Sequence, residues 1–144
     1  MGLTGIGNTG FISEIDVRIF LRDNDPDANL LIKDFEFSPE EIRTAQTLAV
    51  DLWNETPPQI AIFNVEDFPF RYHLILQTVA NLLTMAGMRF RRNNMDLSIT
   101  GGVANDQNKA DPYDQAAERL SAKFHDWMIR KKAEINMNQA WGFI

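Results

Sequence analysis

Leu74, Ile75, Leu76, Val79, Leu82 and Leu83 place apolar side chains on nearly every side of a segment whose spacing predicts a helix. A helix that is apolar all round cannot lie on a surface, so other elements of the fold must enclose it. We expect this central helix to run from about Pro69 to about Met88. The basic run Arg89-Phe90-Arg91-Arg92 behind it suits a helix C-terminus, where cations meet the negative end of the dipole.

The segments that enclose it are also readable. Ser38-Pro39-Glu40-Glu41 combines an N-cap serine, a proline suited to the first helical position and a glutamate able to reach back to the cap. Ile42, Ala45, Ala49, Leu52 and Trp53 follow at three- and four-residue steps, and Pro57-Pro58 end the helix. Ser13, with Glu14 and Asp16 behind it, caps a shorter helix near 14–22 in which Ile15, Ile19 and Phe20 stand at helical spacing. Asp111-Pro112-Tyr113-Asp114 opens the last long helix, with Tyr113, Ala117, Leu120, Phe124, Trp127, Met128 and Ile135 as its stripe. Ile60 to Phe63 reads as a short strand or an extended linker. Met95, Leu97 and Ile99 alternate before Gly101-Gly102 and predict a small β-hairpin near 95–104. The expected fold is mainly α: a bundle of about four helices with that hairpin as an excursion and extended terminal segments. Residues 1–12, glycine-rich, form an arm, residues 13–138 a single domain, and residues 139–144 a tail ending in Trp141 and Phe143.

With 144 residues the chain is large enough for one self-sufficient core, and it must be, because it has no cysteine. That excludes disulfides and thiolate metal sites. No run is apolar enough to span a membrane and the N-terminal residues lack a leader pattern, so we expect a soluble protein of a reducing compartment. The net charge of −6 hides an asymmetry. Residues 1–70 hold 13 acids and 4 bases, net −9, whereas residues 71–144 hold 7 acids and 10 bases, net +3. One reading is an acidic and a basic face able to meet head to tail between copies; the other is solvated helix surfaces.

No chemistry-bearing motif survives scrutiny. Gly5-Ile6-Gly7-Asn8-Thr9-Gly10 has the spacing of a dinucleotide loop, but only four residues precede it, too few for the strand such a loop needs. Asp23, Asp25, Asp27 and Asp34 imitate a calcium loop, yet Ala28 stands where a left-handed glycine is required, Pro26 intrudes, and Asp34 replaces the longer bidentate glutamate. His73 and His125 have no ligand partner at helical spacing. His73, within the most apolar helix, is expected to be a hydrogen-bonded core residue. No nucleophile elbow or phosphate loop is present, so we expect no enzyme, no cofactor and no metal. Arg89, Arg91, Arg92, Arg130, Lys131 and Lys132 could meet phosphate, but a chain of pI ≈ 4.8 suits DNA that passes without sequence-specific binding.

Three stretches carry a resemblance: Ile15-Asp16-Val17-Arg18-Ile19-Phe20-Leu21-Arg22-Asp23, Phe37-Ser38-Pro39-Glu40-Glu41-Ile42 and Trp53-Asn54-Glu55-Thr56-Pro57-Pro58. With Leu97-Ser98-Ile99 before a glycine turn and a last long helix carrying Lys131 and Asn136 before Trp141-Gly142, their order resembles small neck proteins of tailed bacteriophages, the head–tail connector or adaptor family. The resemblance implies a structural virion subunit that forms rings, commonly of twelve copies, between the portal protein and a tail or neck completion protein. It implies residence in the virion neck, after assembly in the host cytoplasm, and no catalytic residues. Candidate interface residues are Asp23, Asp25, Asp27, Arg89, Arg91, Arg92, Arg130, Lys131, Lys132, Trp141 and Phe143. The alternatives are another phage neck or tail protein, and a small helical partner-binding module, in one version calcium-regulated.

Overall fold

The structure, a computed structural model, describes residues 12–28, 34–99 and 107–141. Among the described residues four helices follow one another: α1 (Glu14–Leu21), α2 (Pro39–Glu55), α3 (Arg71–Ile99) and α4 (Gln107–Ala140), with a 3-10 turn at Pro26–Ala28. The mainly helical class holds, and among the described residues there is no strand. α3 and α4, 29 and 34 residues long, run antiparallel as a hairpin of roughly 43 and 51 Å. Their direction follows from the side chains that meet: His73 with Trp127 near one end, Phe90 with Tyr113 near the other. α2 and α1 also pack on α3, so most of the apolar segment is covered, Ile75 and Leu83 only in part. Leu74, Leu76, Val79 and Leu82 are buried.

The capping box expected at Ser38 is present, and Ser13, expected as a simple N-cap, forms one as well. Ser13 Oγ accepts from Asp16 N at 3.3 Å while the Asp16 carboxylate accepts from Ser13 N at 3.0 Å. Ser38 and Glu41 repeat the arrangement, each bond 3.1 Å long, with Pro39 in the first turn. Each such cap contributes about 1 kcal/mol, and together they fix where α1 and α2 begin.

The later part of the chain departs from expectation. α3 does not stop near Met88 but continues to Ile99, so Arg89 to Arg92 lie inside the helix and residues 95–99 are helical rather than the first strand of a hairpin. Residues 100–104, the rest of that hairpin, lie outside the described residues. A three-point alternation is weak against a helix already long: elongation adds one hydrogen bond per residue and needs no new nucleus. α4 begins at Gln107, before Asp111, and holds Pro112 inside it. Pro112 is the sixth residue of the helix, past the first N–H groups that have no intrahelical partner, so it forfeits one bond of the ladder.

The Ile60–Phe63 run is an extended linker. Trp53 Nε1 donates to Ala61 O at 2.7 Å, and Asn54 brackets Phe63, donating to its carbonyl at 2.7 Å and accepting from its N–H at 3.0 Å. These bonds satisfy backbone groups that a strand partner would otherwise take. They also deliver Phe63, Phe68 and Phe70 into an aromatic cluster with Trp53 and Trp127, ring centroids 5.1–6.3 Å apart. Residues 1–11 of the expected arm lie outside the described residues. Ile12 is fully buried, and its carbonyl accepts from Gln46 Nε2 at 3.1 Å, so it belongs to the core.

Candidate functional site

Most charged residues singled out by the sequence are used within the chain. Asp23 is buried; its carboxylate accepts from Arg18 Nη1 at 3.0 Å, from Glu36 N at 2.9 Å and from Phe37 N at 3.2 Å. Arg18 is buried as well, bonded to Glu14 at 2.9 Å and lying 4.2 Å beneath the Phe35 ring. This network ties α1 to the chain leading into α2, and it commits Asp23 to architecture. Asp25 caps the 3-10 turn by accepting from Asp27 N at 3.0 Å, and Asp34 accepts from Phe35 N at 2.7 Å. Among the described residues no group of three or more His, Asp or Glu is arranged to hold a metal ion. Asp25, Asp27 and Asp34 remain exposed.

The bases divide similarly. Arg89 pairs with Glu36 at 3.9 Å, and Arg91 with Asp111 at 3.3 Å and with Asp114. Arg71 meets Asp16 at 3.4 Å. Part of the charge asymmetry therefore closes between the two halves of one molecule. Arg92 and Arg130 are exposed, and Lys131 pairs with Glu134 at 3.4 Å beside Phe70.

Lys132 is not a surface base. It is fully buried, and its Nζ donates to the carbonyls of Trp53, Thr56 and Pro58, the last at 3.1 Å. An ammonium has three donors, and all three are used. Trp53 and Thr56 offer carbonyls at the C-terminal end of α2, where the dipole also favours a cation, and Pro58, whose carbonyl also accepts from Ile60 N at 2.9 Å, lies just beyond it. Burial lowers its pKa from the usual lysine value.

His73 is half-buried rather than a core residue, and it stacks flat on Trp127, 3.9 Å between centroids at 7°. Burial, and then the charge of Lys131, lower its pKa. Tyr113 donates to Glu36 at 3.0 Å; burial of the phenol, then that carboxylate, push its pKa up to about 12. The Tyr113–Glu36 bond ties α4 to the chain leading into α2. A groove of about 380 Å³ beside α1, lined by Glu14, Arg18, Asp34, Phe35, Glu36 and Phe37, is open and acidic.

The least expected feature is apolar. In α1 the buried face is Val17, Arg18 and Leu21, whereas Ile15, Ile19 and Phe20 point outward, 52, 48 and 43% exposed. Helical spacing had suggested those three as the helix's apolar stripe, but two apolar faces compete on eight residues and periodicity cannot choose between them. On α4, Ile129, Met137 and Trp141 are exposed, Trp141 by 71%. With Ala133 they form a series at steps of four along one face. Ile135 is the last apolar α4 residue packed against the core; in the turn beyond it Asn138 is half-buried and Asn136, Met137 and residues 139–141 are exposed. Phe143 lies outside the described residues. No described helix is long and apolar enough to cross a membrane. No family model, no curated protein and no solved structure matches the chain.

Proposed function

We propose that this protein is a structural subunit of the neck of a tailed phage, one member of an adaptor ring that joins the portal to the tail. The observation that carries the reading is the pair of outward apolar surfaces, on α1 and on the end of α4. Soluble single chains rarely leave several large apolar side chains on one helix face in water unless another surface covers them. The chain order that resembles neck proteins supplies the identity of that surface: further copies, with portal and completion proteins above and below. Asp23, Lys132 and Tyr113, the polar groups with the most specific surroundings, hold elements of the body together, as suits a building block. The net charge of −6 favours a channel that DNA crosses without adhering.

The test is assembly. Light scattering after size exclusion and native mass spectrometry, on the protein alone and with portal protein, should show a closed ring or a portal-bound ring. A monomer at every concentration and salt, portal included, would overturn the proposal.

A further inference from the structure

We infer that the C-terminal end of α4 in one copy docks on the outward face of α1 in the next, a contact that rests on the ring-subunit reading and names its interface. Three observations lead there. The first is geometric. A terminal helical turn past the last apolar core contact frays in water, and this one carries Met137 and Trp141, 62 and 71% exposed. Neither packs against its own core, so their receptor belongs to a different molecule.

The second observation is that the chain offers a matching receptor. Ile15, Ile19 and Phe20 lie together on α1, and Phe35, also exposed, lies over Arg18 of the same helix. A half-exposed Ile, Phe or Met leaves on the order of 100 Å² in water. Ile129, Met137 and Trp141 against Ile15, Ile19 and Phe20 thus supply about 600 Å² of apolar contact before any polar rim. A standard interface buries about 1,600 Å² in total, so this pair fits its apolar centre. Trp is also the residue type most enriched among binding anchors.

The third observation is charge. Around α1 the exposed or half-exposed charges are Glu14, Asp16, Asp25, Asp27 and Asp34 against Arg22 and Arg71, the last paired with Asp16. Along the α4 stripe they are Arg130 and Lys131 against Asp126 and Glu134. The acidic α1 surface repels a second α1 and meets no such net charge on α4. The two patches differ, so the contact is heterologous, the type that closes rings.

Because the natural chain has no cysteine, the contact can be trapped directly. Ile19→Cys and Met137→Cys chains, mixed under mild oxidation, should form a mixed disulfide at least tenfold faster than Ile19→Cys mixed with Ile62→Cys, Ile62 being equally exposed on the linker. Circular dichroism confirms that each variant folds. In parallel, Ile15→Glu/Ile19→Glu and Met137→Glu/Trp141→Glu chains should each fail to assemble, yet form a one-to-one dimer when mixed, since each retains the half the other lacks. Equal disulfide rates, dominant Ile19→Cys homodimers, or rings that persist in both glutamate variants would overturn the inference. Rings that persist would leave the adaptor reading standing, whereas a wild-type chain monomeric even with portal would remove that reading itself.

Discussion

Replacing Lys132 by Met tests whether a buried cation holds this fold together. Met keeps most of the stem and its contacts with Trp53, so only the head group changes. On one side, removing an ammonium from the interior relieves a desolvation cost of several kcal/mol. On the other, three carbonyls at or just beyond the end of α2 lose a donor. Trp53 O is the deepest, and an unsatisfied buried acceptor costs about 1–3 kcal/mol. The Thr56 and Pro58 carbonyls are only partly buried and regain water at smaller cost. Loss of the cation from the helix end adds about 1–2 kcal/mol. The carbonyls cannot move apart to relieve this, because Trp53 and Asn54 are pinned to the linker. A hydrogen bond to a charged group contributes about 1.5–3 kcal/mol net of desolvation, and of the three only the Trp53 bond is fully buried. Lys132→Met should therefore destabilise by about 2–3 kcal/mol, lowering Tm by on the order of 8 °C. Lys132→Arg should not rescue it, since a planar fork cannot direct three donors at three convergent carbonyls. Urea unfolding followed by tryptophan fluorescence reads the change, with Trp53 at the site itself. A Met variant as stable as wild type, or more stable, would refute the reasoning and show that desolvation dominates.

Four further outcomes are expected. Tyr113, with its pKa raised to about 12, contributes stability that is full below pH 10 and is lost as pH rises toward 12; the full shift corresponds to about 2.7 kcal/mol, reduced by solvent screening of this half-buried group to about 1. Tyr113→Phe should flatten that alkaline decline in urea midpoints. His73, with its pKa lowered, contributes stability present above pH 6.5 and lost as pH falls through its folded value; unfolding midpoints should drop on acidification in wild type and not in His73→Phe, which retains a ring to stack on Trp127. Thr78 is fully buried with an unpartnered hydroxyl, so Thr78→Val should stabilise by about 1 kcal/mol, visible as a raised Tm. Asp23→Asn removes one of the two acidic partners of the buried Arg18, Glu14 remaining, and should cost about 1–3 kcal/mol in urea unfolding.

The local signals in the sequence were sufficient for the starts and stops of α1 and α2. A Ser with an acid three residues on caps its own helix, and Pro57 ends one, whatever lies elsewhere in the chain. The largely covered α3 was legible for a similar reason: a helix apolar on all sides has only one kind of place to be. The rest depended on partners far away in sequence. Which face of α1 turns inward was settled when Arg18 found Asp23 and Val17 and Leu21 met the core, leaving Ile15, Ile19 and Phe20 outside. The continuation of α3 through residues 95–99 reflects the low cost of extending an existing helix, which a three-point alternation does not outweigh. Lys132 looked like one base in a surface run because its three acceptors lie more than seventy positions away. Capping and chain-stopping are short-range chemistry, written in neighbouring residues. Burial, charge pairing and the choice between two apolar faces are decided by what the fold brings against them.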